Sequence, residues 1–139
     1  MANTRSILNQ LHNTPTPCFV CDETQLLDNA KICNKIRKES GAKILLALKG
    51  FSTYSLFPTI APYLDGTTAS SLHEAKLGHD TFSKDHVHIY SPAYKETEFT
   101  DIMQYATHIS FNSLKQWQTY KQSLENSKLD RLSLTLKGH

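Results

Sequence analysis

The sequence predicts an α/β fold built from about five parallel strands with intervening helices, in the manner of an incomplete (β/α)8 barrel. Three observations carry this. Strand-like segments begin near residues 44, 66, 87, 109 and 131, a recurrence of about 21–22 residues. A strand, a helix and two short loops take that length, and parallel strands need such a crossover. Ile44-Leu-Leu-Ala-Leu48 is a continuous apolar run, the pattern of a strand buried on both faces beneath helices. The chain has 139 residues, just over half of the roughly 250 that a complete barrel takes. An open doubly wound sheet shares the βα repetition, but the G-x-G-x-x-G fingerprint of nucleotide-binding sheets is absent.

Each element has its local reason. Residues 1–16 read as an N-terminal arm, and residues 17–139 as the barrel portion. Pro15 and Pro17 lead into a brief extended piece, Cys18-Phe-Val-Cys21. A helix over 22–40 follows. Asp22 and Gln25 have capping spacing, Leu26, Ala30 and Cys33 form a stripe that Leu27 and Ile36 widen, and Gly41 suits a left-handed stop. After the first strand, residues 52–64 read as helical with Leu56, Phe57, Ile60, Ala61 and Leu64 on one face, shortened or kinked by Pro62. Asp65-Gly66 is a turn and Thr67–Ser70 a short strand. Ser71-Leu-His-Glu74 is a capping box opening a helix that ends near Gly78. Residues 87–91 are a strand, and 96–106 a helix with Phe99, Ile102, Met103 and Ala106 inward. Ile109–Asn112 is a strand. Ser113-Leu-Lys-Gln116 opens a helix with Leu114, Trp117, Tyr120 and Leu124 as its buried stripe. Alternating Leu132, Leu134 and Leu136 form a last strand.

Composition bounds the function. The chain is 39% hydrophobic and 20% charged, with net charge +2, too small and scattered for a nucleic-acid surface. No apolar run approaches the roughly 20 residues of a membrane span, and the N-terminus shows no signal-peptide pattern. Three cysteines do not suggest a disulfide framework. The expected location is the cytoplasm.

Lys49 is the sharpest candidate site. An amine at the carboxyl end of a βα strand lies at the rim where such folds bind ligands. Partial desolvation there would favour the neutral, nucleophilic form used in Schiff-base chemistry. The same residue also reads as a strand-end lysine whose charge reaches water. Glu74 is the nearest carboxylate in pattern, either support for the lysine or a cofactor, or the capping partner of Ser71. Ser70, Ser71, Ser91, Asn112 and Ser113 make a polar rim, and each also suits a helix start. Cys18 and Cys21 have redox spacing but sit on an extended piece. His86 and His88 share one side of a strand, as zinc ligands would, but local spacing offers no third ligand. No metal is therefore expected. Lys31, Lys35, Arg37 and Lys38 form a solvated basic helix face, and G-x-S-x-G is absent.

Lys43-Ile-Leu-Leu-Ala-Leu-Lys49-Gly-Phe-Ser52, Leu56-Phe-Pro58 and Tyr63-Leu-Asp-Gly-Thr-Thr-Ala-Ser-Ser-Leu-His-Glu-Ala75 resemble carboxynorspermidine (carboxyspermidine) decarboxylases, as do Ser91-Pro-Ala-Tyr-Lys-Glu96, Phe111-Asn-Ser-Leu114 and Thr16-Pro-Cys-Phe-Val20. The family is similar to the alanine-racemase-like, fold-type III enzymes, which join a (β/α)8 barrel to a β domain. The resemblance implies a pyridoxal 5′-phosphate cofactor bonded through its aldehyde to Lys49, with Glu74 near it. It implies decarboxylation of carboxynorspermidine or carboxyspermidine to norspermidine or spermidine, in polyamine biosynthesis. It also implies a homodimer with sites at the subunit interface. Diaminopimelate- or ornithine-type decarboxylases are the related alternative. A non-catalytic pyridoxal-phosphate protein or an inert fragment is the other. The family pattern continues past this chain into further barrel strands, a phosphate loop and the β domain, and the sequence leaves that pattern at Lys137-Gly-His139. The expectation is an N-terminal fragment that is inactive alone.

Overall fold

The computed structural model describes residue 11, residues 14–125 and the backbone of residues 133–136. Residues 1–10, 12 and 13 of the expected arm, Leu132 and residues 137–139 lie outside the described residues.

Helix α1 (Glu23–Ser40) starts where Asp22 accepts a hydrogen bond from the Gln25 amide at 3.0 Å, and stops at Gly41, whose φ of 70° is the left-handed conformation that suits glycine. Strand β1 (Leu45–Ala47) follows. Pro58 and Pro62 break the next apolar stretch into two single 3-10 turns, Tyr54–Leu56 and Ala61–Tyr63, around a short helix α2 (Phe57–Ile60). The chain then alternates β2 (Gly66–Ala69), α3 (Leu72–Thr81), β3 (Val87–Tyr90), α4 (Glu96–Tyr105), β4 (His108–Phe111), α5 (Leu114–Glu125) and β5 (Ser133–Leu136).

The five strands are parallel and their order in the sheet is their order in the chain. A doubly wound sheet reverses strand order at a switch point. No reversal occurs here, so the sheet is one arc of a barrel-like winding. Successive residues of a strand point to opposite faces. On one face Thr67, Ala69, Val87, Ile89, Ile109 and Phe111 are each at most 2% exposed. They pack beneath the helices together with Phe99, Ile102, Ala106, Tyr120 and Leu124. On the other face Thr68, His88, Tyr90, His108 and Ser110 are only half-buried.

Three expectations are corrected. The β1 run is not buried on both faces: Leu48 is fully buried, Leu45 and Leu46 are half-buried and Ala47 is exposed. Among the described residues β1 is an edge strand pairing only with β2. Helix α3 continues past Gly78 to Thr81. Gly78 lies inside it because a β-carbon there would collide with the Thr67 side chain and stand 3.3 Å from a Leu48 methyl, so the glycine lets helix and sheet approach closely. Leu114 is exposed, because it is the first residue of α5, and the buried part of the stripe is Tyr120 and Leu124.

Candidate active site

Because all strands run the same way, their carboxyl ends share one rim. Ala47 pairs with Thr68, and the Leu48 amide donates to the Thr68 carbonyl at 3.1 Å. Lys49 stands two residues past Ala47, beyond the last pair of the ladder. A turn follows, in which the Gly50 and Phe51 amides donate to the Ala47 carbonyl at 3.0 and 3.1 Å. Leu48 anchors this turn under α3. Asp65 fixes the other end of β1: its carboxylate accepts from the Ile44 amide at 2.8 Å and meets Arg37 of α1 at 3.3 Å. Lys49 itself is exposed. The partial desolvation expected of it is not present, because the turn carries it beyond the last ladder bond and no described wall covers it.

Glu74 performs the capping role. Ser71 Oγ accepts from the Glu74 amide at 3.2 Å, and Glu74 Oε2 accepts from the Ser70 amide at 2.7 Å. The start of α5 repeats this chemistry. Ser113 Oγ accepts from the Gln116 amide at 3.1 Å, while Gln116 Oε1 accepts from the Asn112 amide at 2.7 Å. Gln116 also donates to the Pro92 carbonyl at 3.1 Å, tying the rim after β3 to α5.

Between the carboxyl ends of β2 and β3 lies a cavity of about 170 Å3, lined by Ser70, Ser71, Ser91, Tyr94, Lys95 and Glu98 among others. The structure thus gathers three of the predicted rim serines, but Lys49 is not among the lining residues. Tyr94 is the residue that sequence reasoning missed. Its hydroxyl donates to the Ser110 carbonyl at 2.7 Å, lies 3.2 Å from the Ile89 carbonyl, and accepts from the Ser91 amide at 3.2 Å. Its own carbonyl accepts from the Tyr120 hydroxyl at 2.7 Å. Burial pushes the Tyr94 phenol up to about 12. One side chain therefore holds the loop after β3 against the ends of β3 and β4. Its only sequence trace is its place in the Ser91–Glu96 segment.

Cys18 and Cys21 are exposed free thiols on non-helical chain. Lys31 and Lys35 pair with Asp28 and Glu39 on α1, as a solvated face does. His86 and His88, by contrast, acquire a neighbour that local spacing did not offer: the β3–β4 register sets His108 beside His88, their rings stacked at 3.9 Å.

No family model matches the chain. Curated relatives do. The chain is 41% identical over 118 residues to carboxyaminopropylagmatine decarboxylase of Synechocystis sp., covering 85% of this chain and 30% of that protein. It is 41% identical over 111 residues to carboxynorspermidine/carboxyspermidine decarboxylase of Herminiimonas arsenicoxydans, covering 80% of this chain and 30% of the relative. A solved carboxynorspermidine decarboxylase from Campylobacter jejuni, in complex with norspermidine, superposes with a TM-score of 0.77 at 37% identity. The likeness is to the carboxynorspermidine decarboxylases. That superposition covers 86% of this chain and 31% of the solved decarboxylase, and it makes the five-stranded arc an incomplete (β/α)8 barrel. The chain spans about 30% of the length of the curated decarboxylases it matches.

The residues present fit one part of a pyridoxal-phosphate site. An exposed primary amine at the carboxyl-end rim is what an aldehyde needs. At the starts of α3 and α5 the Glu74 and Gln116 amides are already engaged by Ser71 and Ser113, so those two amides are not open to a phosphate.

Proposed function

We propose that this chain carries the lysine-bearing wall of a pyridoxal-phosphate-dependent carboxy-lyase, whose full-length form removes CO2 from a carboxylated polyamine. Carboxynorspermidine and carboxyspermidine are the substrates, and norspermidine and spermidine the products. The observation that carries this is the 37–41% identity to decarboxylases over at least 80% of this chain, with Lys49 at the rim of the matching fold. The relative that acts on carboxyaminopropylagmatine is as similar as those named for carboxyspermidine, so a guanidino-polyamine acid is the second substrate to assay.

Lys49 contributes a primary amine that is open to approach from solvent, and an amine must be unprotonated to attack a carbonyl carbon. The cofactor, when bound, supplies the electron sink for departure of CO2. Lys49 Nζ then serves as the nearby proton carrier. Leu48 under α3 and Asp65 at the base of β1 set where that amine stands. Glu74 and Tyr94 shape the neighbouring rim. The full-length enzyme works as a cytoplasmic homodimer with sites at the subunit interface, and the 139-residue chain alone is inactive.

Incubation of this chain with pyridoxal phosphate, borohydride reduction and peptide mapping tests the lysine. Preferential label on Lys49, lost in Lys49→Ala, is the expected result, and equal label across the exposed lysines overturns it. In a full-length protein Lys49→Ala lowers decarboxylation by at least about a hundredfold, measured as CO2 release from each polyamine acid.

A further inference from the structure

On the half-buried face of the sheet, away from the carboxyl-end rim, three histidines meet. His86 lies two residues before His88, so their side chains leave the chain on the same side. His88 pairs in register with His108 at the start of β4. Ring centroids are 6.5 Å apart for His86 and His88, 5.9 Å for His86 and His108, and 3.9 Å for His88 and His108. One ring nitrogen from each lies within 4.8 Å of one from each of the others. We propose that His86, His88 and His108 bind a single divalent transition-metal ion of the zinc, cobalt or nickel class, clipping β3 to β4.

Four features favour the site. Three imidazoles are the donor set these borderline ions take, and they leave a fourth tetrahedral position for water. With metal–nitrogen distances of about 2.0–2.1 Å, tetrahedral ligand atoms stand about 3.4 Å apart. Binding therefore requires the three nitrogens to close from within 4.8 Å of one another, with the 17° stack of His88 and His108 splayed apart. His86 Nδ1 and His88 Nε2 are buried and have no hydrogen-bond partner, and such atoms call for a ligand. The His88 and His108 rings are also held in the neutral form that ligation requires: burial first, then the neighbouring charges of His108, His86 and Lys43, lowers His88 to about 4, and burial first lowers His108.

One group opposes the ion. Lys43 Nζ lies 2.6 Å from His86 Nε2. An ammonium there donates to that lone pair and repels a dication. Accepting from Lys43 at Nε2 leaves the ring proton on Nδ1, so a metal at Nδ1 and the ammonium at Nε2 compete for His86 through its tautomer. This makes Lys43 a negative control on affinity that an unspecific surface site would not have.

Co2+ titration of the 139-residue chain carrying Cys18→Ser and Cys21→Ser, followed by visible absorption and calorimetry, tests the site. One equivalent with the spectrum of four-coordinate cobalt is expected. His88→Gln and His108→Gln each weaken binding by at least about tenfold, and Lys43→Ala tightens it by about tenfold, whereas His73→Ala, an exposed control, changes nothing. Should the glutamine variants fail to fold by circular dichroism, 15N imidazole shifts of the otherwise unaltered chain on Zn2+ addition decide the matter, with three of the seven histidines moving together. No uptake at millimolar Co2+, uptake unchanged by the glutamine variants, weaker binding in Lys43→Ala, or shifts that spare these rings would each overturn the proposal.

Discussion

The two faces of the sheet use the same strands to opposite ends. The helix-covered face is dry and aromatic: Phe99 stacks on Tyr120 at 3.9 Å, and Tyr94 meets Phe111 edge-on at 5.7 Å. The opposite face carries threonine, histidine, tyrosine and serine, with Tyr90 donating to Asn112 Oδ1 at 3.0 Å. Parallel sheets are ordinarily covered on both faces. The contrast teaches that the βα repeat completes its outer layer from local sequence, since each helix returns over the strands it joins. The inner face depends on groups brought together across strands.

The largest break in this contrast should come from Phe111→Ala. Phe111 is fully buried, and its loss costs about 3–5 kcal/mol, a large part of the roughly 5–15 kcal/mol of a typical domain; urea unfolding measures it. Alkaline titration comes next. Burial raises Tyr94 to about 12 and also raises Tyr120. The fold favours the neutral phenols, so their contribution is complete below pH 10 and is lost as pH rises from about 10 through about 12. Phenolate absorbance should show these two of the six tyrosines ionising last, together with unfolding. The finest probe compares adjacent threonines. Thr67 Oγ1 is buried without a partner and Thr68 is half-buried on the other face. Thr67→Val should raise stability by about 1 kcal/mol, because it removes an unpaired hydroxyl. Thr68→Val should stay within about 0.5 kcal/mol, and thermal melts of the pair read the difference.

What was legible in the sequence was local. Strands expected near 44, 66, 87 and 109 begin at 45, 66, 87 and 108, because apolar runs and turn residues mark them. The serine caps at 71 and 113 were readable because a cap spans three residues. Lys49 was found at a strand end because a lysine terminates an apolar run. What was hidden depended on contacts between units. Gly78 read as a helix stop because Thr67 beneath it lies on another element. Tyr94 was missed, since nothing near it in the chain reveals that it reaches Ser110. His108 lies 20 positions from His88, so no local spacing rule could join them.

Strand order that follows chain order also bears on how the polypeptide assembles. Paired residues of neighbouring strands lie only 20 to 25 positions apart, so each pairing closes a modest loop and none waits for a distant segment. Separations of this kind are close to the shortest that a βα crossover allows, and a lower contact order shortens the wait for each pairing. A ribosome releasing the chain from its N-terminus would let β2 settle against β1 before β4 exists, each newly emerged unit extending a template already in place.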